Sequence, residues 1–414
     1  MSKKPTIISL YTGAGGLDYG FEAAGFRTAV AVELNHDCCE TLRHNRGMPV
    51  IERDIFAVST DAMLDAAKLR RGEADLVIGG PPCQPFSKSG YWASGDTARL
   101  DDPRANTLAA YMRVVEEALP RAFVLENVEG LGYQGKAEGL AFLLRHIEKI
   151  NKLAKVTYEP VFRVLRAADY GVPQLRARFI LVASREGVPF FFPDPTHAPD
   201  NGAQQQLDVV ELDHYRTAWD ALADVEPNPD EDLQVRGKWA KLLPSIPEGK
   251  NYLHHTNEEG GGRKLFGWRR HFWSFLLKLA KNRPSWTVQA QPGPAVGPFH
   301  WNSSRLSMRE LCRLQTFPDD VTVLGDVSAV QRQVGNAVPS LLAEVLGRQI
   351  RTQLLGLGAL CRPLSLLPPD RSPAPPSEPV GPVAPEYLHL EGEHAPHPGT
   401  GKGNGALARQ EASQ

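Results

Sequence analysis

Cys83 stands in Gly79-Gly80-Pro81-Pro82-Cys83-Gln84-Pro85-Phe86-Ser87, directly after the apolar run Asp75-Leu76-Val77-Ile78. The two prolines fix the backbone ahead of the thiol, so little orientational entropy remains to be lost when it attacks. The attacking species is the thiolate, whose population its surroundings set. A second apolar run ends in Leu125-Glu126-Asn127-Val128. A carboxyl in that position is predicted to have a raised pKa and to protonate a reacting group. Gln174-Leu175-Arg176-Ala177-Arg178 sets two arginines two residues apart, and on extended backbone such residues share a face. Guanidinium is a fixed multi-donor cation suited to carbonyl oxygens, phosphates and carboxylates. Cys38, Cys39, Cys312 and Cys361 lack any such frame and read as small hydrophobes.

A binding site is also legible. The first apolar run, Thr6 to Tyr11, leads into Thr12-Gly13-Ala14-Gly15-Gly16-Leu17-Asp18, where glycines let the backbone turn tightly and approach a ligand. Glu33 follows about 20 residues later, the placement of an acid that binds ribose hydroxyls. Asp18 occupies the position of the third glycine of a dinucleotide fingerprint. The pattern therefore disfavours a pyrophosphate and favours an adenosine-bearing cofactor without phosphates.

These residues need elements to hold them. Thr6–Tyr11, 28–32, 75–78, 123–125 and 179–183 read as buried strands, with helices over 38–45, 61–69, 108–118 and 137–151. Strands alternating with helices imply an α/β fold, a doubly wound and mostly parallel sheet covered on both faces. Ligands of such sheets bind at the carboxyl ends of the strands, where the glycine turn, Glu33, Cys83 and Glu126 lie, while Arg176 and Arg178 stand just before the last of these strands. Loops rich in Pro, Gly and Asn from about 189 to 301 indicate an inserted second domain, and helical patterning returns at 307–316 and 340–355. The expected division is a catalytic and cofactor-binding domain over 1–185, a small domain over 186–325, a segment returning to the first domain over 326–360, and a Pro-rich disordered tail over 361–414.

Of the 414 residues 42% are hydrophobic and 23% charged, ordinary values for a globular chain. No apolar run approaches the ~20 residues of a membrane span, and the N-terminus has no signal-peptide pattern. Five cysteines in irregular positions give neither a disulfide framework nor a zinc site. A cytoplasmic protein without metal is expected. The net charge of −2 conceals an asymmetry: residues 187–235 carry eleven acids against Arg216, and residues 236–313 carry fourteen bases against four acids. A local basic face is the footprint of phosphate binding.

The order of these segments resembles the cytosine-C5 DNA methyltransferase family of bacterial restriction-modification systems. Further matches are Asp54, Arg309 to Pro318, and Gln333-Val334-Gly335-Asn336-Ala337-Val338-Pro339, so that the resemblance spans about Ile7 to Gly347. It departs at Leu17 and Leu34, positions often aromatic in the family. It implies a class I, Rossmann-like fold and S-adenosylmethionine as methyl donor, with S-adenosylhomocysteine as product. Thr12 to Gly16, Leu17 and Asp18 would follow the donor's methionine end and Glu33 its ribose. Leu34, Asp54 and Ile55 would meet the adenine, and Pro82, Asn336 and Ala337 would complete the pocket.

The implied reaction is addition of Cys83 to carbon 6 of a cytosine, with Glu126 at ring nitrogen 3 and Arg178, backed by Arg176, at the exocyclic oxygen. A base stacked in a duplex is out of reach, so it must be flipped out. Arg263 to Arg270 and Lys281 to Thr287 are candidates for reading double-stranded DNA, although Phe266, Trp268, Trp273 and Trp286 would equally serve as a small-domain core. Methylation of cytosine in transfer RNA is the alternative within the family, and a binding protein without activity is the alternative outside it. A monomer acting near the nucleoid, with a companion restriction endonuclease, completes the expectation.

Overall fold

The computed structural model describes residues 4–82, 106–132, 138–199, 212–226, 228–256, 261–266 and 273–392. Cys83 lies outside the described residues, as do Trp268, Arg269, Arg270 and the last stretch, 393–414.

Five strands, β1 (Thr6–Leu10), β2 (Arg27–Glu33), β3 (Val50–Glu52), β4 (Leu76–Gly79) and β5 (Ala122–Val128), run parallel in the order β3-β2-β1-β4-β5. β6 (Glu159–Arg166) forms the far edge, and β8 (Ala177–Ser184) fills the place between β5 and β6, antiparallel to both. Between them in sequence, β7 (Gln174–Leu175) leaves the sheet and pairs with Ser285–Trp286. The central strands are near-continuous apolar runs because both faces are covered. Ile8, Leu10, Val77, Phe123 and Leu125 face one hydrophobic cluster, and Ile7, Leu76, Ile78 and Val124 face another.

The helices are α1 (Gly16–Ala23), α2 (His36–Asn45), α3 (Thr60–Ala67), α4 (Asn106–Ala118), α5 (Glu138–Ala154), α6 (Ala218–Leu222), α7 (Met308–Leu314), α8 (Val327–Asn336) and α9 (Ser340–Gln353). Helices α3, α4 and α5 cover the first face, and α1 and α9 cover the second. α1 carries two glycines, each costing a helix about 1 kcal/mol against alanine. Close packing is what requires them. A Cβ on Gly20 would stand 2.1 Å from the Ser340 carbonyl oxygen, and one on Gly16 would stand 2.4 Å from that of Val338. The start of α9 and the residues just before it thus dock against the first helix.

The segment 228–299, part of the stretch expected to form a small domain, is built among its described residues almost without regular structure. Its core is an aromatic and aliphatic cluster of Leu242, Leu243, Ile246, Tyr252, Leu265, Phe266 and Phe275, with Trp239 packed against it. One member of that cluster, Tyr387, comes from the far end of the chain. Here the fold differs from the expected disordered tail. Residues 361–392 take a defined path across the molecule, because Ser365, Arg371, Glu378 and Tyr387 along it meet partners that only the folded body supplies. Among the described residues no helix is long and apolar enough to cross a membrane.

Candidate active site and cofactor cleft

The carboxyl ends of β1, β2, β4 and β5 converge as the parallel order requires. After β1, Tyr11 and Gly13 adopt positive φ of 53° and 57°, and Gly15, at 89°, is the N-cap of α1. Nothing lies within 4 Å of where a Cβ on Gly13 would be, so the turn leaves an open backbone surface. Glu33, at the end of β2, braces the turn: its Oε2 accepts from the Gly13 N–H at 2.7 Å, and its Oε1 accepts from Leu34 and Asn35 at 2.9 and 2.8 Å. A carboxylate offers about four acceptor sites, which leaves one for a hydroxyl. Leu34 is 65% exposed. Asp54 caps the next turn through the Phe56 N–H at 3.0 Å, with Ile55 buried beneath it and Phe56 exposed.

Asp18 is not in this cleft. It is buried, and its two oxygens accept from the Ser9 and Thr28 hydroxyls, each at 3.0 Å, inside the β1–β2–α1 packing. Burial, reinforced by Glu22, pushes its carboxyl up to about 7 against those two hydrogen bonds. Leu17 likewise packs with Ile7, Phe21 and Val338 in the core, and Ala14 is buried beneath the turn. The resemblance that nominated Asp18 as a ligand does not tell an inward side chain from an outward one; the docking of α1 decides it.

Glu126 closes the other side. It is 8% exposed at the end of β5, and its Oε1 receives the Arg178 Nε at 2.7 Å. Arg178 comes from the start of β8, opposite Val128 in the ladder. Burial lifts the Glu126 carboxyl above the usual carboxylate range, against the lowering pull of Arg178 and Arg176, and burial draws both guanidinium pKa values down. The other carboxylate oxygen, Oε2, faces Gly80, where a Cβ would come to within 2.6 Å of it. A bulkier residue at 80 would displace the acid.

The stem of the loop that carries Cys83 is tied to the same structure. Asn127 Nδ2 donates to the Pro81 carbonyl at 3.0 Å, the Thr107 hydroxyl donates to that of Pro82 at 3.0 Å, and the Tyr11 hydroxyl donates to the Thr107 carbonyl at 2.9 Å. Asn127 sits beside Glu126 in a recognisable run and Tyr11 closes the first apolar run, but neither announces this bracing role in the sequence, and Thr107 announces nothing. Cys38, Cys39 and Cys312 are poor nucleophiles: burial pushes the Cys39 and Cys312 thiols up to about 12 and that of Cys38 higher still.

Arg176 and Arg178 divide their work. Arg176 is 1% exposed and donates from Nη1 to the Val288 carbonyl at 3.1 Å and from Nη2 to the Gly335 carbonyl at 2.7 Å. Gln174 acts with it, donating to Leu314 and Gln315 and accepting from the Val288 N–H. The pairing of these arginines on one face gives way to a different arrangement: only Arg178 meets the acid, and Arg176 ties the end of α8 to Val288, two residues past the Ser285–Trp286 strand. Asn336 and Ala337 follow that tie directly. Asn336 is exposed, and Ala337 lies against Gly16.

The basic segment is partly neutralised. Lys281 pairs with Glu248 and Glu378, Lys241 with Glu386, and Arg263 with Glu391. Phe266 belongs to the small-domain core, whereas Trp273 and Trp286 are partly exposed and face each other at 5.8 Å. A cleft of about 270 Å³ opens between the small domain and α7–α8, with Arg236, Arg305, Gln289, Ser328 and Gln331 on its walls. On the surface His36, Glu40 and Glu52 have the spacing of metal ligands, but Glu52 already binds His36 and Arg43.

Comparison with known proteins agrees with this geometry. Residues 5–352 match the family described as C-5 cytosine-specific DNA methylase. The Type II methyltransferase M.SacI of Streptomyces achromogenes is 39% identical over 377 residues, covering 86% of this chain and 94% of its own. M.AquIA of Picosynechococcus, also a Type II methyltransferase, is 46% identical over 231 residues, 55% of this chain and 90% of its own. In fold, the chain resembles a putative DNA modification methyltransferase encoded within an Escherichia coli prophage, with a TM-score of 0.58, 22% identity and coverage of 85% and 100%. Spodoptera frugiperda DNMT2 has a TM-score of 0.54 at 15% identity, with coverage of 83% and 98%.

Proposed function

The chain belongs to the C-5 cytosine-specific DNA methylases and is a DNA cytosine-5 methyltransferase; from that premise we propose how its residues divide the work. Methyltransferases of this family use S-adenosylmethionine, which when bound supplies an activated methyl group to carbon 5 of the base. The residues present fit it. The open backbone at Gly13, the remaining acceptor site of Glu33 and the exposed Leu34 make a cradle for an adenosine. Thr12, Gly13, Gly15, Gly16, Asp54, Ile55, Pro82, Asn336 and Ala337 border it.

Carbon 5 of cytosine is a weak nucleophile. In this proposal the Cys83 thiolate adds to carbon 6 of a flipped-out cytosine, and the electron pair displaced toward nitrogen 3 takes up the proton of Glu126. Arg178 holds the exocyclic oxygen and keeps the acid aimed. Methyl transfer leaves nitrogen 3 protonated and cationic, and it returns that proton to Glu126; a solvent water then takes the carbon-5 proton, and the freed electron pair restores the carbon 5–carbon 6 double bond and expels the thiolate. The observation that carries this reading is the buried Glu126–Arg178 pair, 2.7 Å apart beside the stem Gly80-Pro81-Pro82. Residues 236–313 contribute the DNA-reading surface, and a monomer is the working state. That the relatives are named Type II methyltransferases supports a companion restriction endonuclease.

Trapping with a duplex carrying 5-fluorocytosine tests the mechanism, because fluorine cannot leave as a proton does and the adduct persists. A denaturation-stable complex is expected with the native chain and none with Cys83→Ala. A complex that survives Cys83→Ala would refute the nucleophile.

A further inference from the structure

The match to the methylase family ends at residue 352, and the chain then continues as a strap that visits each body of the molecule in turn. It starts on the sheet side, where the Ser365 and Leu366 N–H groups donate to the buried Glu344 carboxylate at 2.9 and 3.0 Å. It next crosses α6: the Arg371 N–H donates to Asp220 at 2.6 Å, and its guanidinium reaches Asp224 at 2.7 Å. Glu378 then enters a buried charge network. Its N–H donates to Glu248 at 2.7 Å and its carboxylate accepts from Lys281 at 2.8 Å, while the Pro376 carbonyl accepts from the same ammonium at 3.1 Å. Last, Tyr387 stacks on Trp239, with centroids 5.8 Å apart and planes 17° apart, and its hydroxyl donates to the Lys238 carbonyl at 2.8 Å.

We infer that residues 363–392 are a clamp that completes the small domain and holds it at a fixed attitude to the catalytic domain for DNA. The small domain needs such a part: between 228 and 299 its described elements are two 3-10 turns, the two-residue strand Ser285–Trp286 and isolated bridges, and Tyr387, 4% exposed, is a member of its core. Charge says which side the clamp occupies. Asp370, Glu378, Glu386 and Glu391 meet Arg216, Lys281, Lys241 and Arg263, and an acidic strand repels phosphates. The strapped face is therefore turned away from DNA, and the docking surface is left to cations off the strap, such as Arg305. The exposed pairs matter little energetically; Tyr387, Glu378 and Arg371 are the anchors. Tyr387 acts as a positioning residue, through Trp239 and the small domain.

This inference rests on the reading that residues 236–313 bind DNA. If release of the clamp leaves the docked attitude populated one-tenth of the time, apparent DNA affinity falls about tenfold. The test is steady-state methyl transfer to unmethylated plasmid DNA by the full chain, with KM for DNA, KM for S-adenosylmethionine and kcat measured separately. Tyr387→Ala should raise KM for DNA about tenfold and leave the other two within about twofold, Tyr387→Phe should restore most of the loss, and Glu378→Gln should act in the same direction as Tyr387→Ala. Arg305→Glu is the control for the underlying reading. An unchanged KM for DNA in Tyr387→Ala, with Arg305→Glu raising it, would refute the clamp alone. An unchanged KM in Arg305→Glu would remove the reading and the clamp together. A parallel loss of kcat and of cofactor affinity would reduce the strap to general stability and also overturn the proposal.

Discussion

Replacing Asp18 by asparagine should make the protein more stable above neutral pH and leave cofactor binding untouched. The carboxyl is buried against the Ser9 and Thr28 hydroxyls, and burial holds its pKa near 7 rather than 3.8. A carboxyl whose folded-state pKa is raised favours the protonated form. Its contribution to stability is therefore whole below about pH 4 and is lost as pH rises toward 7. The displacement is a little over three units, and at 1.36 kcal/mol per unit the full loss is about 4 kcal/mol, of which roughly 3 falls between pH 5 and 8. Asparagine does not titrate, and it can accept from one hydroxyl and donate to the other. Urea unfolding of both proteins at pH 5 and pH 8 measures the difference directly. The stability gained by Asp18→Asn should be larger at pH 8 by roughly 3 kcal/mol, with KM for S-adenosylmethionine unchanged. A difference that does not vary with pH, or a tenfold rise in that KM, would refute the placement of Asp18 inside the packing.

Gly80→Ala drives a Cβ to within 2.6 Å of the Glu126 carboxylate, and kcat for methyl transfer should fall by about 10²-fold, the lower end of what an acid contributes, with melting temperature little changed. Arg176→Met leaves the buried Val288 and Gly335 carbonyls without donors. Urea unfolding should report a loss of about 3 kcal/mol, larger than its effect on kcat/KM per folded molecule. Of Cys38, Cys39, Cys312 and Cys361, only Cys361 is exposed. Alkylation of the native chain at pH 8 followed by peptide mapping should modify Cys361 and spare the other three.

Much of the sheet is legible because its strands are buried on both faces and read as short apolar runs. Thr6–Tyr11 is observed as Thr6–Leu10, and 179–183 as Ala177–Ser184. Two strands have no such signal. β3 is three half-buried residues, and β6 begins Glu-Pro and is mostly exposed at the edge. Helix α1 hides behind its own glycines, which local propensity counts against a helix and which the contact with α9 demands. The strap is hidden for the opposite reason. Its proline content argues for disorder, and what orders it is a set of partners, Glu344, Asp220, Lys281 and Trp239, lying up to 151 residues away in sequence. Composition measures what a segment can bury by itself, and this segment buries itself in something else.

The site itself divides along the same line. Residue types that do chemistry are visible by their placement after apolar runs, because a strand end in a parallel sheet is a position of known geometry. Residues that hold the chemistry in place are not, because their partners are carbonyls, which any sequence supplies. Arg176 and Arg178 make the point within three residues. Arg178 finds a carboxylate, which specific sequence provides, and sits in the site. Arg176 finds the Val288 and Gly335 carbonyls and draws together segments more than 100 residues from it. Since Gly335 precedes Asn336 at the cradle's border, and Glu126 feels the charge of both arginines, the same short run sets the acid and fixes the wall opposite it. Assembly of the late segment and tuning of the acid are then one event: a chain in which 326–352 has not docked leaves Arg176 without the Gly335 carbonyl, and it lacks both the far wall of the proposed cradle and the finished electrostatic surroundings of Glu126.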